Sequence, residues 1–344
     1  MRPNAYNKSN RVAWRYMCWG PGWASCSAFF IFREEFTMDL KKPLSVPEQV
    51  TRLEGHGIQI NDRAAVEDVL SRINYYRFTG YALQYRKSES DSDFVDGVTF
   101  ETIHNIYRFD VQLRELLRTH LETAEVYYKT KISTIFSMRK CQDPPHDQHY
   151  DENNYSHVQG FHEVISSLAR EQEHFKDTLV VKHHQAKYAS RMPLWVCVEL
   201  LSFSNLSKLY SAMQDPEKDA IASEFGTGQK TLKNHLHCLS VLRNKCAHTA
   251  RLYNTQFSPP ARFPTPFLQK NPQVENDSLF AYLLVLHKRL PTQEDCDALR
   301  TGLRDLINAY GSEIRLDRMG FPENWEELLG RSRDAYKKIT GTII

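Results

Sequence analysis

The stretch "TFETIHNIYRFDVQLRELLRTHLETAEVYYKTKISTIFS", residues 99–137, decides the fold class. Ile103, Ile106, Tyr107, Asp110, Leu113, Leu117, Leu121, Ala124 and Tyr128 recur every three or four residues and share one helical face. No proline or glycine interrupts the run. The spacing therefore predicts one long helix that spans much of a domain.

Helix signals continue on both sides. In "SVPEQVTRL", Ser45 is a cap, Pro47 falls in the first turn and Glu48 stands three residues after the cap, which marks a helix start. "NDRAAVEDVLSRI" sets Ala65, Val69, Leu70 and Ile73 on one face, and the turn Gly55-His56-Gly57 separates the two helices. "NYYRFTGYALQY" carries five aromatics in twelve residues and reads as a packing seam against the next helix, with a base-stacking surface as the alternative. The acidic, serine-rich "KSESDSDFVDG" is a surface loop, and so is the proline-broken "CQDPPHDQHYDENNYSH". Further helices are expected at 158–174, 194–213, 216–225 and 231–250. A strap, "SPPARFPTPFLQKNP", holds five of the fifteen prolines, and no regular helix is expected to pass through it. Helices at 277–290 and 293–310 precede "MGFPENWEELL".

Strand alternation is nearly absent, and no internal repeat is evident. The expectation is an all-α protein, with an N-terminal helical region at 38–98, a helical core at 99–254, a basic proline-rich strap at 255–275 and C-terminal helices at 276–344. Residues 1–37 show no sustained period. Their apolar run, 24–32, is too short to span a membrane, and Arg33, Glu34 and Glu35 stand where a signal peptide needs small residues. Glu34-Glu35 must be encoded by purine-only codons resembling a bacterial ribosome-binding sequence, so Met38 is the expected natural start, with 1–37 disordered or absent.

The 344 residues are 41% hydrophobic and 25% charged, enough to bury a substantial core. The seven cysteines form no CxxC pair, and no His/Cys cluster has zinc spacing, so neither a disulfide framework nor a metal site is indicated. A reducing cytoplasm fits this usage, and no cofactor or membrane is implied. The formal net charge is only +2. From residue 225 to 274, however, there is no Asp or Glu, while Lys230, Lys233, Arg243, Lys245, Arg251, Arg262 and Lys270 all lie in that window. Such a block attracts polyanions, with phosphate as the usual partner, unless it is a chance gap on a solvated surface.

Within that window stands "VLRNKCAHTARLYN", residues 241–254. Taken alone, Arg243-x4-His248 carries little weight, because Arg114-x5-His120 and Arg139-x6-His146 are comparable pairs in the same chain. Position says more. Leu232, Leu236, Leu239, Cys246 and Ala250 form an apolar stripe with Arg243 in its middle, where a charge needs a partner. On an unbroken helix His248 points about 140° away from Arg243. To meet at one phosphate, the two need either a helix that unwinds near Ala247 or a second copy across a two-fold axis, and the glycine-free "NKCAH" favours the second copy. Histidine titrates near neutrality and arginine stays charged, a pairing suited to RNA cleavage without metal. The plainer alternative pairs Arg243 with an acidic residue and makes His248 a helix-end cap near the C-terminal dipole.

"RNKCAHTARLYN" resembles the R-N-x-x-A-H-x-x-R-L-[WY]-N signature of the Abi family, abortive-infection proteins of the AbiD/AbiF type built on a HEPN helical domain. "KPLSVPEQVTRLEGHGIQI", "INYYRFTGYALQY", "IYRFDVQLRELL", "LWVCVELLSFSNLSKLY" and "MGFPENW" match in the family's order, from about Lys42 to Trp325. The resemblance implies a HEPN-like bundle and a metal-independent endoribonuclease used against phage or as a toxin, active as a homodimer whose two copies complete the site. The alternative is an RNA-binding protein that holds a cognate small RNA without turnover. Implied partners are an RNA substrate and a cognate non-coding RNA or antitoxin protein. Arg243 and His248 carry over as catalytic, with Asn244 bracing the histidine. Arg251, Tyr253 and Asn254 belong to the same signature, and with Lys245, Lys230 and Lys233 they are candidates for RNA contact. On the long helix, Glu122 or Glu125 can orient His248 or pair with Arg243, while Asp110 and Arg114 form an i,i+4 pair. Trp195 and the 203–205 turn also match the family; the turn reads as packing, and Ser204 stands where the family usually has glycine.

Overall fold

The computed structural model describes residues 41–88 and 92–330, so the upstream extension expected at 1–37 lies outside the described residues. From Ser45 onward the described chain is all-α, with isolated bridges in place of strands. The helices are α1 Val46–Gly55, α2 Arg63–Arg72, α3 Tyr75–Ala82, α4 Phe100–Lys140, α5 Val158–His174, α6 Leu179–Tyr188, α7 Leu194–Leu200, α8 Phe203–Ala212, α9 Asp215–Glu224, α10 Gln229–Ala247, α11 Thr265–Lys270, α12 Leu279–Arg289, α13 Gln293–Tyr310 and α14 Trp325–Gly330. Among the described residues no helix is long and apolar enough to cross a membrane.

α4 is the axis of the unit. At 1.5 Å per residue its 41 residues run about 60 Å. Its buried face follows the sequence period from Ile103 to Tyr128, including Asp110. α3, α7, α9, α10 and α13 pack along it. α12 is buried nearly all round, with Leu279 to His287 and Arg289 inside, as expected of a helix with no polar face. It packs against α10, α4, α13 and α14. The aromatic segment of α3 does serve packing. Phe78 stacks on Phe100 at 4.4 Å and Tyr81 meets Tyr107 edge-on at 5.6 Å, whereas Tyr76 stays 87% exposed.

Two local expectations need correction, and one helix was not expected. The run expected at 194–213 is two helices, because Leu201 and Ser202 are extended and the Ser202 hydroxyl accepts the Asn205 N–H at 3.3 Å as the cap of α8. Ser204 therefore sits in a first helical turn, where no glycine is required. The proline strap does hold a short helix, α11. Pro264 caps it and Pro266 occupies its first turn, positions at which a missing N–H costs nothing. Finally, α6 forms from "LVVKHHQAKY", a segment whose weak amphipathic pattern gave no signal.

Candidate active site

The motif's geometry begins with how α10 ends. His248 donates its N–H to the Asn244 carbonyl at 2.9 Å, so it is still on the helical track. Thr249 then turns to φ +53°, and the Ala250 N–H reaches back to the Lys245 carbonyl at 2.8 Å. This is a Schellman ending with threonine where glycine is usual. A β-branched residue in the left-handed region costs about 1–2 kcal/mol, and Arg77 from α3 offsets this by donating to both the carbonyl and the hydroxyl of Thr249. The helix thus ends at Ala247 without unwinding before His248. The side chains of Arg243 and His248 still leave α10 about 140° apart.

α4 grips this ending through a ladder of residues one or two turns apart. Glu125 pairs with Arg243 at 3.4 Å and also with Lys129 at 3.4 Å. Arg118 donates to the Cys246 carbonyl at 3.1 and 3.3 Å, placing a cation at the negative end of α10. Arg114 donates to the Ala250 carbonyl at 3.2 Å and pairs with Asp110. Fully buried Asp110 in turn accepts the Tyr253 N–H at 2.9 Å, the Leu252 N–H at 3.2 Å and the Tyr81 hydroxyl at 2.6 Å. Burial is the largest influence on the Asp110 carboxyl and pushes it up, while Arg114, Tyr81 and the two amides pull it down. Burial likewise pushes the Cys246 thiol up to about 12, so this cysteine is an inert packing group.

The structure sorts the expected site residues by place. His248 is exposed at the corner. The Arg243 side chain is 39% exposed and tied to Glu125, whose own side chain is 12% exposed. Glu125 thus pairs with the arginine, and Glu122 lies on the exposed side of α4. Asn244 does not brace the histidine through its side chain. Its amide donates to the Ser204 hydroxyl at 3.0 Å, and only its backbone carbonyl holds His248. Tyr253 is 1% exposed, with its hydroxyl donating to Gln84 at 3.3 Å and accepting the Arg315 N–H at 3.2 Å, so packing removes it from the RNA-facing set. Arg251 is half-buried, donates to the Gly80 carbonyl and lies 5.9 Å from the centre of the Tyr81 ring. Asn254 takes φ +48° at the end of the loop. The Lys245 ammonium lies 5.3 Å from the centre of the Phe257 ring.

Lys230 and Lys233 stand roughly 22–27 Å from His248 at helical rise, too far to share one phosphate with it. Spacings of three, seven and eighteen residues nevertheless set Lys230, Lys233, His237 and His248 on one exposed face of α10. Four residues that position the motif escaped the sequence reading. Arg118 was signalled by its four-residue step after Asp110 and Arg114, and Arg77 by its place in a block matching the family. Ser204 stands out as a departure from the family's glycine and Gly80 shares the block of Arg77, but nothing local pointed either of them to Asn244 or Arg251. Among the described residues, no group of three or more His, Cys, Asp or Glu could hold a metal ion.

The fold and this site define an all-α protein that presents an arginine and an exposed histidine at a helix end clamped from two sides. The chain matches the family model described as Abi-like protein over residues 68–254, more than half its length, and it belongs to that family. The matched span closes on the last residue of the motif loop and includes every α3, α4 and α8 residue that grips it. No curated protein and no solved structure gives a match.

Proposed function

We propose that this chain is a metal-independent endoribonuclease of the HEPN type, acting in abortive-infection defence or as a toxin, with a site completed by two copies. The observation that carries the reading is that one helix end presents both an exposed His248, in line with the exposed lysines of α10, and a half-exposed Arg243 on a different face. His248 exchanges a proton with the ribose 2'-hydroxyl or the leaving 5'-oxygen. Arg243 holds the phosphate as negative charge grows, exchanging Glu125 for the substrate oxygens. Lys230 and Lys233 draw the RNA backbone along α10. Because the two side chains diverge on one helix, Arg243 of one copy and His248 of another supply the two halves.

A complementation experiment tests both parts. Wild type cleaves RNA in EDTA, and Arg243→Ala and His248→Ala each lose cleavage. Mixing the two inactive variants after dissociation restores about a quarter of wild-type activity, since half the dimers are mixed and each has one intact site. No restoration assigns both residues to one copy, and cleavage persisting in either variant removes the pair from the chemistry. The ion pair that occupies Arg243 favours a second reading, a protein that holds a cognate small RNA without turnover. Tight binding without cleavage in the same assay identifies it.

A further inference from the structure

A concave surface lies between the loop that precedes α5 and the helices α6 and α7. It encloses about 400 Å³, and its walls include His146, Asp147, His184, Tyr188, Arg191 and Trp195. Four observations bear on what it takes.

The first is exposed aromatic area. Trp195 is 52% exposed and Tyr188 47%, whereas Trp325 is 7% exposed. Large flat side chains left open in a cavity wall mark a binding site more often than a packing defect. The second is a fixed planar cation. Arg191 uses its Nε edge on Asp147, and its guanidinium lies 5.3 Å from the centre of the Tyr150 ring, so it is held from two sides while its side chain stays 58% exposed.

The third is two imidazoles of defined tautomer. The partner of His146 Nδ1 is the Cys141 carbonyl at 3.0 Å, and that of His184 Nδ1 is the Val180 carbonyl at 2.8 Å. A carbonyl only accepts, so each Nδ1 carries the hydrogen, and in the neutral ring each Nε2 is an acceptor. The fourth is backbone strain. Among the described residues, the non-glycine positions with positive φ are His146, Ala189, Ser190, Thr249 and Asn254. The last two lie in the α10 motif loop, His146 lines this cavity, and Ala189 and Ser190 form the turn that ends α6 between the wall residues Tyr188 and Arg191. Strain of this kind collects where a site is held in shape.

We propose that this cavity is a nucleotide pocket in which a base lies flat on Trp195 and a phosphate meets Arg191. The open Trp195 face suits a base, the imidazole acceptors suit its exocyclic amino groups, and the guanidinium nitrogens of Arg191 that Asp147 does not engage suit its phosphate. The volume, near the lower end for ligand sites, fits one nucleotide. The ligand is either a free nucleotide or one nucleotide of an RNA strand. The inference does not rest on cleavage at Arg243 and His248.

The test measures binding of the four 5'-mononucleotides and of a 2'-O-methyl pentanucleotide, which cannot be cleaved through its 2'-oxygen, to the full chain by calorimetry. Trp195→Ala weakens at least one of these ligands about tenfold, the loss expected of one stacked base. Trp195→Phe restores most of the affinity, and Arg191→Gln weakens the same ligand while leaving the aromatic surface in place. A mononucleotide that responds identifies a free nucleotide as the source. A response confined to the pentanucleotide makes the pocket a base subsite on a strand. Equal affinity of wild type, Trp195→Ala and Arg191→Gln for every ligand, or no measurable binding to wild type, overturns the proposal.

Discussion

Replacing Asp110 with alanine tests the grip on the motif loop most directly. The carboxylate is wholly buried and accepts from the Tyr253 and Leu252 amides and the Tyr81 hydroxyl, while its ion-pair partner Arg114 is 3% exposed. Asp110→Ala leaves a buried guanidinium without its counter-charge and two buried amides without an acceptor. Breaking a buried pair from one side costs about 3–5 kcal/mol. For a domain of this size that lowers the melting temperature by roughly 6–20 °C. Asp110→Asn combined with Arg114→Met removes both charges yet keeps an oxygen for the amides, so the double variant recovers much of the loss. The assays are urea unfolding and amide exchange, in which Leu252 and Tyr253 lose protection in Asp110→Ala and regain it in the double variant. A single variant that costs under about 1 kcal/mol, or that keeps both amides protected, refutes the assignment of Asp110 as the anchor of the loop.

Three further outcomes follow from other parts of the structure. Gly320 has φ +74°, and a Cβ there would lie 2.3 Å from Cβ of Ser278, whose hydroxyl caps α12. Gly320→Ala therefore lowers the melting temperature by roughly 5–15 °C, combining left-handed strain with overpacking, and an unchanged melt contradicts the close approach. Arg118→Ala removes the cation from the end of α10, costs about 1–2 kcal/mol and speeds exchange of amides 248–250. If their exchange is unaltered, the Schellman turn holds without α4. Burial lowers the His149 imidazole to about 4, whereas the unfolded chain protonates it near pH 6.5. The unfolded state thus binds the extra proton between those values, so stability is full above about pH 6.5 and falls by roughly 3 kcal/mol as the pH drops to 4. The gap between wild type and His149→Gln in urea midpoint changes across that range, and a constant gap shows that His149 does not titrate on unfolding.

What was legible in the sequence is what repeats along it. α4 could be read because its apolar positions recur for more than ten turns, and α5 and α13 because their faces are strongly amphipathic. α6 and α11 escaped because one has little periodicity and the other is too short to show any. The all-α class therefore followed from local pattern alone, whereas the break at Leu201 depended on a capping serine inside a run that looked continuous.

The site divides along the same line. Arg243 on an apolar stripe is a local fact, and it raised the plainer alternative of an acidic partner, a place that Glu125 fills. That α10 turns at Thr249 carried no such signal, since threonine is a poor choice for a left-handed position and glycine was absent. The turn is imposed from a distance. Arg77 reaches Thr249 across 172 residues of sequence and Asp110 reaches Leu252 across 142. No window on the motif contains either partner. The blocks "INYYRFTGYALQY" and "IYRFDVQLRELL" lie far upstream of the motif because they contribute the residues that hold its loop: Arg77 and Tyr81 from the first, Asp110 and Arg114 from the second. The chemistry proposed for His248 accordingly depends on α3 and α4 as much as on the helix that carries it, so variants that never touch RNA should still alter where the histidine sits.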